Sequence, residues 1–168
     1  MKLHHNTLTA KICTWDKLRE TIDSWRQNGE TIVFTNGCFD LLHKGHVDYL
    51  NKAADLGDHL VIGLNSDESV SRLKGAHRPL QDESSREYLL AALQCVSLVT
   101  VFEQDTPENL IQLVQPDILV KGGDYTRDTV VGADYVEELG GRIEIIPFLP
   151  GYSTSSIEQK IRKSTNNL

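Results

Sequence analysis

The stretch TIVFTNGCFDLLHKGHVDYL, residues 31–50, decides the fold. Its first part, TIVFT, is short, β-branched and almost wholly apolar, which is typical of a parallel strand covered on both faces. A helical pattern at 44–56 and a second apolar strand at 59–64 follow. A strand, a helix and a second strand within about thirty residues form the crossover unit of a parallel sheet.

The same alternation continues outward from this unit. Before it, one helical face carries Trp15, Leu18, Ile22 and Trp25, and Gly29 can close that helix. After it, strand patterns lie at 97–102, 117–121 and 142–148, and helical patterns at 83–93, 107–114, 133–139 and 153–163. We therefore predict an α/β fold, a Rossmann-like doubly wound sheet of about five parallel strands with helices on both faces. We expect a single domain, with residues 1–30 as an N-terminal helical extension and 31–163 as the core.

Composition excludes several classes of function. The 168 residues carry a formal net charge of −7, so there is no global positive field for a nucleic-acid backbone or an anionic membrane. The three cysteines are odd in number and lack a CxxC pair, which argues against a disulfide framework and a structural zinc site. There is neither a cleavable leader pattern nor a run of about 18 apolar residues. These features favour a cytoplasmic protein with no nucleic-acid or membrane partner.

A ligand site is expected at the carboxyl ends of the strands, where the strand order of such a sheet reverses. The loops NGCFDLLHKGH, NSDES, KGGDY and PGYSTSS follow the first, second, fourth and fifth strands. All four are rich in glycine, hydroxyl or charged groups, so we expect them to line one site.

The first of these loops carries His43, Gly45 and His46 at the start of a helix. A helix start offers free N–H groups and the positive end of the dipole to an anion, and Gly45 leaves room for a phosphate. No third ligand stands at a zinc spacing, and the GxGxxG and GxxxxGK[ST] loops are absent. The sequence therefore predicts a phosphate site built from HxGH.

These residues resemble the HxGH nucleotidyltransferases, and among them the bacterial D-glycero-D-manno-heptose 1-phosphate adenylyltransferases. The resemblance covers about residues 32–161. It rests on TNGCFDLLHKGHVDYL, GLNSDESVSRLKG, RPLQDESSREYLLAAL, FEQDTPENLIQLVQPDILVKGGDY, VVGADYVEELGG and PGYSTSSI. HxGH alone indicates only the superfamily, whereas the long block that ends in KGGDY is similar to the heptose branch.

The resemblance implies transfer of AMP from ATP to heptose 1-phosphate, with Mg²⁺ as cofactor, giving ADP-heptose and pyrophosphate for lipopolysaccharide core or surface glycans. It also implies a possible homodimer and a separate heptose kinase that supplies the sugar 1-phosphate. The residues support this chemistry, because an acceptor phosphate is already an anionic nucleophile. Catalysis then needs positioning and charge stabilisation at the α-phosphate.

We assign the site residues to three roles. The expected catalytic residues are His43, His46 and Lys74, the last in a flexible SRLKG stretch. The expected acceptor-binding residues are Asp40, Arg78 and Arg86, and Asp40 could instead orient a histidine or help to hold hydrated Mg²⁺. The expected ATP-binding residues are Gly37, Cys38, Phe39, Gly45, Asn65, Gly122, Gly123, Asp124, Ser153, Thr154 and Ser155. No protein ligand to a metal is assigned, since the triphosphate carries Mg²⁺.

Two features depart from the heptose enzymes, and two other functions stay open. Lys44 stands where a small or apolar residue is usual, and Ala76-His77 replaces a Pro-Gly pair. A cytidylyltransferase acting on glycerol 3-phosphate or another small phosphate ester would use the same residue types. A nucleotide-binding sensor without turnover is an alternative of another class.

Overall fold

The computed structural model describes residues 4–123 and 125–165. Its sheet has five parallel strands in the order β3-β2-β1-β4-β5, which confirms the predicted α/β architecture. The strands are β1 (Ile32–Gly37), β2 (His59–Asn65), β3 (Leu98–Phe102), β4 (Ile118–Gly122) and β5 (Arg142–Ile146). Because β1 lies between β2 and β4, the strand order reverses there, and the crevice at the carboxyl ends of β1 and β4 is where such a sheet binds ligands.

Helices cover both faces of the sheet, and their apolar side chains form two layers of core. The helices are α1 (His4–Thr9), α2 (Trp15–Gln27), α3 (Lys44–Ala54), α4 (Asp67–Lys74), α5 (Glu83–Ala91), α6 (Glu108–Val114), α7 (Ala133–Glu138) and α8 (Thr154–Thr165). On one face α2, α6 and α7 pack against the sheet, and on the other α3 and α5 do so. Strand β1 serves both layers, since Ile32 and Phe34 point to the first and Val33 to the second.

One helix was not expected from the sequence. Helix α1 lies within the predicted N-terminal helical extension, whereas α4 replaces the flexible stretch predicted around Lys74. The Ser66 hydroxyl caps α4 by accepting from the Ser69 N–H at 3.1 Å, and Gly75, with φ +102°, ends it. Lys74 is therefore the last residue of a helix, and the helix restricts its backbone position more than a loop would.

The N-terminal part of the chain packs on the core. Leu18 and Ile22 of α2 are fully buried against the sheet. The segment before α2 pairs with the edge strand β3, where the Val99 N–H donates to the Lys11 carbonyl at 2.8 Å and the Cys13 N–H donates to the Val99 carbonyl at 3.0 Å. This pairing protects an otherwise open sheet edge. No helix in 4–123 or 125–165 is long and apolar enough to cross a membrane.

Candidate active site

A cavity of about 870 Å³ opens at the carboxyl ends of the strands. The loops after β1, β2, β4 and β5 all contribute to its wall, as the sequence predicts. Of the predicted site residues that the structure describes, all line it except Gly123 and Arg86. Asp124 lies outside the described residues.

The loop after β1 brings the two histidines together. His43 is the N-cap of α3, and its Nδ1 accepts a hydrogen bond from the His46 N–H at 3.3 Å. The two rings stack with centroids 3.9 Å apart and planes 17° from parallel. A Cβ atom at Gly45 would lie 3.0 Å from the His43 ring and 3.1 Å from the Tyr152 Cβ. Glycine at 45 therefore lets the His43 ring and Tyr152 approach the start of α3 closely, a constraint beyond the room for phosphate expected from the sequence.

The His43–His46 pair is uncharged at neutral pH. Burial, together with the neighbouring His43 and Lys74, lowers the pKa of His46 to about 4, although a hydrogen bond to the backbone of Leu41 opposes the shift. Burial also lowers the pKa of His43. Because Nδ1 of His43 accepts a hydrogen bond, its neutral ring carries the proton on Nε2. The pair therefore offers N–H donors to a ligand without a fixed positive charge.

Lys74 and Cys38 meet beside this pair. The positive charge of Lys74 lowers the pKa of both the Cys38 thiol and the His46 ring, although burial dominates at each. Burial raises the pKa of Cys38, although Lys74 and Arg86 oppose that shift. Cys38 is thus a neutral thiol at neutral pH, and its Sγ lies 3.9 Å from the Asn65 Oδ1. Lys74 supplies a positive charge at the same wall of the cavity.

Asp40 and Arg78 form an ion pair at the cavity wall. The Asp40 carboxylate accepts from the Leu80 and Gln81 N–H groups at 2.7 and 3.1 Å and from the Arg78 guanidinium at 2.5 Å. Burial opposes ionisation of Asp40, but these backbone and guanidinium donors lower its pKa below the ordinary value. Arg78 also pairs with Glu158 of α8. Two of the three predicted acceptor-binding residues are therefore already paired with each other in this structure.

Arg86 lies beneath the site, in contrast to the acceptor-binding role expected from the sequence. Its side chain is fully buried and does not line the cavity. It donates to the carbonyls of Gln81, Cys38 and Asn65 at 3.0, 2.7 and 2.8 Å and to the Asp67 carboxylate at 2.7 Å. Since its donors bind the ends of the first two strand loops, Arg86 positions those loops.

The opposite wall is formed by the ends of β4 and β5 and the start of α8. A Cβ atom at Gly122 would lie 2.7 Å from the Phe148 ring, and one at Gly123, where φ is +80°, would lie 2.0 Å from it. These glycines were expected to admit a nucleoside, whereas in the structure they admit the exposed Phe148 ring. At the start of α8, the Ser153 hydroxyl accepts from the Ser156 N–H at 3.1 Å, which leaves the Thr154 and Ser155 hydroxyls for a ligand.

The sequence analysis missed Lys121 and Asn36. Lys121 is 8% exposed, lines the cavity, and donates from Nζ to the Asn36 Oδ1 across β4 and β1. The signal was a lysine that ends the otherwise apolar run DILVK, because a lysine on a buried strand is rare unless it has a polar role. Lys44, by contrast, is exposed and outside the cavity wall, with its ammonium 5.4 Å from the Tyr152 ring centroid.

Comparison with known proteins agrees with this geometry. Residues 34–161 match the family model described as cytidylyltransferase-like. The bifunctional protein HldE of Syntrophotalea carbinolica is 55% identical over 161 residues, which cover 96% of this chain and 33% of that protein. The HldE of Geotalea uraniireducens is 54% identical over 158 residues, 94% of this chain and 32% of that protein. The chain thus spans about a third of the length of the curated relatives it matches.

Two solved structures have a similar fold. The lipopolysaccharide core biosynthesis protein of Thermoplasma volcanium has a TM-score of 0.58 and 30% identity, with 72% of this chain and 98% of that chain covered. The pantoate-beta-alanine ligase of Francisella tularensis has a TM-score of 0.59 at 15% identity, with 88% of this chain and 75% of that chain covered, and this likeness concerns the fold alone. A family match over residues 34–161, carried on a five-stranded parallel sheet with HxGH at its switch point, shows that the chain belongs to the cytidylyltransferase-like family of nucleotidyltransferases.

Proposed function

We propose that this chain transfers AMP from ATP to D-glycero-D-manno-heptose 1-phosphate, which gives pyrophosphate and ADP-heptose for lipopolysaccharide core synthesis. The observation that carries the proposal is the meeting of the His43–His46 pair, Lys74 and the start of α8 across one cavity. The choice of a heptose phosphate is supported by the 55% identity to a protein named HldE and by the 30% identity to a lipopolysaccharide core biosynthesis protein.

The triphosphate is held from both sides of the cavity. At the start of α3, the backbone N–H groups and the His43 Nε2–H bind phosphate oxygens, and at the start of α8 the hydroxyls of Thr154 and Ser155 bind the tail. Because anions favour the charged form of a neighbouring imidazole, bound phosphates raise the pKa of the pair. The site therefore gains positive charge when its substrate arrives.

The reaction is a single in-line displacement. An oxygen of the acceptor phosphate attacks the α-phosphorus of ATP, the bond from that phosphorus to the bridging oxygen breaks, and pyrophosphate leaves with the electron pair. The His43–His46 pair and Lys74 stabilise the charge that develops on the transferring group. No side chain needs to act as a nucleophile, because the acceptor oxygen is already ionised.

Nucleotidyltransferases of this family typically use a divalent metal, and we propose that ATP enters as its Mg²⁺ complex. Among the described residues, no three His, Cys, Asp or Glu side chains converge to hold a cation. The carboxylates on the cavity wall, Asp40 and Asp105, are paired with Arg78 and Arg72. Triphosphate oxygens and water are the ligands that Mg²⁺ accepts without a protein cage.

The test follows pyrophosphate release with purified α-heptose 1-phosphate, β-heptose 1-phosphate and glycerol 3-phosphate, each against ATP and CTP. We expect release only with ATP and one of the two anomers. Preference for CTP with glycerol 3-phosphate would replace the proposal by the cytidylyltransferase alternative. Binding of ATP without release, whatever the acceptor, would favour a sensor. A homodimer and a separate heptose kinase remain predictions. Sedimentation would test the first, and an assay coupled to such a kinase would test the second.

A further inference from the structure

Lys121 is a buried ammonium at the switch point of the sheet. It precedes Gly122 on β4, its Nζ donates to the Asn36 Oδ1 on β1, and the Tyr125 ring centroid lies 5.6 Å from Nζ. With 8% of its surface exposed, it is shielded from bulk water, yet it lines the cavity. An ammonium has three N–H donors, so the amide of Asn36 uses only part of its capacity.

The surroundings leave this charge without compensation. Burial lowers the pKa of Lys121 to about 8, which is the effect of taking an ammonium out of water. Among residues 4–123 and 125–165, no carboxylate forms an ion pair with it. A buried charge of this kind is costly unless a ligand of opposite sign completes its contacts.

The other two cations on the cavity wall are either ion-paired or lie beside the histidines. Of the described residues that line it, Lys74, Arg78 and Lys121 are the lysines and arginines. Arg78 is paired with Asp40 and Glu158. Lys74 is exposed and lies beside the His43–His46 pair. Lys121 is therefore the buried cation that remains for a second anion.

The proposed reaction brings that second anion. The acceptor carries a phosphate monoester with a charge of about −1.5 to −2 at neutral pH, and no metal ion offsets it as Mg²⁺ offsets the triphosphate. We propose that the Lys121 ammonium, held by Asn36, binds the phosphate group of the sugar phosphate acceptor beside the α-phosphate of ATP. This inference rests on the proposed function and names a binding residue for its acceptor. A neighbouring ammonium also keeps the attacking oxygen ionised.

Lys121→Met is the first test, because methionine keeps an unbranched apolar chain in the buried position and removes the charge. Lys52→Met is the matched control, since Lys52 is an exposed lysine of α3 paired with Asp48. We expect the KM for heptose 1-phosphate to rise about ten-fold or more in Lys121→Met, with the KM for ATP unchanged. Both values should stay at the wild-type level in Lys52→Met.

A second variant keeps the lysine and guards against misfolding of the first. Asn36→Asp places a carboxylate against the Lys121 ammonium, so it should also raise the acceptor KM. Its matched control is Asn51→Asp, which adds the same charge on the exposed face of α3. An unchanged acceptor KM in folded Lys121→Met, or in Asn36→Asp, would overturn the inference.

Calorimetry distinguishes binding of the ATP phosphates from binding of the acceptor phosphate, and it does not depend on turnover. Binding of α,β-methylene ATP alone should be equal in wild type and Lys121→Met, whereas binding of inorganic phosphate to the protein saturated with this analogue should weaken about ten-fold. An equal loss of affinity for the analogue would assign Lys121 to ATP and overturn the inference. Absence of wild-type turnover with every acceptor would count against the proposed function, and phosphate binding would still decide the role of Lys121.

Discussion

Replacing Arg86 with methionine should destabilise the protein rather than merely weaken substrate binding. The side chain is 0% exposed, and its loss would leave three backbone carbonyls and the Asp67 carboxylate without their donor. Removing one partner from a buried charged network costs about 3–5 kcal/mol. For a chain of this length, each kcal/mol lowers Tm by about 2–4 °C, so we expect a loss of about 6–20 °C.

Arg72→Met provides the matched comparison. Arg72 also pairs with a carboxylate, that of Asp105 at 2.8 Å, but its side chain is 49% exposed. Exposed ion pairs contribute about 0–1 kcal/mol, so its Tm should fall by no more than about 4 °C. The assay is thermal unfolding followed by circular dichroism, with pyrophosphate release measured well below both transitions. A Tm of Arg86→Met within about 2 °C of wild type, together with a raised acceptor KM, would refute the positioning role and restore the acceptor-binding one.

The remaining predictions concern the histidine pair and the transfer step. His43→Ala and His46→Ala should each lower kcat about a hundred-fold or more in proteins that circular dichroism shows to be folded, and near-wild-type kcat in both would remove them from the catalytic site. Because the folded pKa of His46, about 4, lies below its unfolded value of about 6.5, the unfolded chain binds more protons between these values. Wild type should therefore lose more stability than His46→Gln in urea titrations as the pH falls from 6.5 to 4.5, and an equal loss would contradict the neutral pair. With ATP made chiral by sulfur at the α-phosphorus, the product should show inverted configuration; retention, or an AMP adduct on either histidine, would indicate nucleophilic catalysis instead.

The order of strands and helices was predictable because it depends on local signals. The apolar runs at 31–35 and 59–64 can only be covered on both faces, and the helix between them demands a parallel crossover. The same logic placed His43 and His46 at a helix start. Helix α4 was not predicted because it is short. Its bounds depend on a serine cap and on a glycine with positive φ, and such signals are hard to recognise in a polar stretch.

The alternation of strands and helices and the position of HxGH at a helix start could be read from the sequence alone, since hydrophobic period, helix caps and neighbouring residues encode them within a few turns of chain. The tertiary structure decided what each charge does. Arg86 and Lys121 are both cations near the same loops. Arg86 donates to three carbonyls and a carboxylate beneath the site, whereas Lys121 donates to the Asn36 amide oxygen at the cavity wall and forms no ion pair with a described carboxylate. Their partners lie up to 85 residues away along the chain, so no local pattern distinguishes them. Burial and pairing depend on which segments the fold brings together. They decide whether a cation binds backbone carbonyls or remains able to bind an anionic ligand.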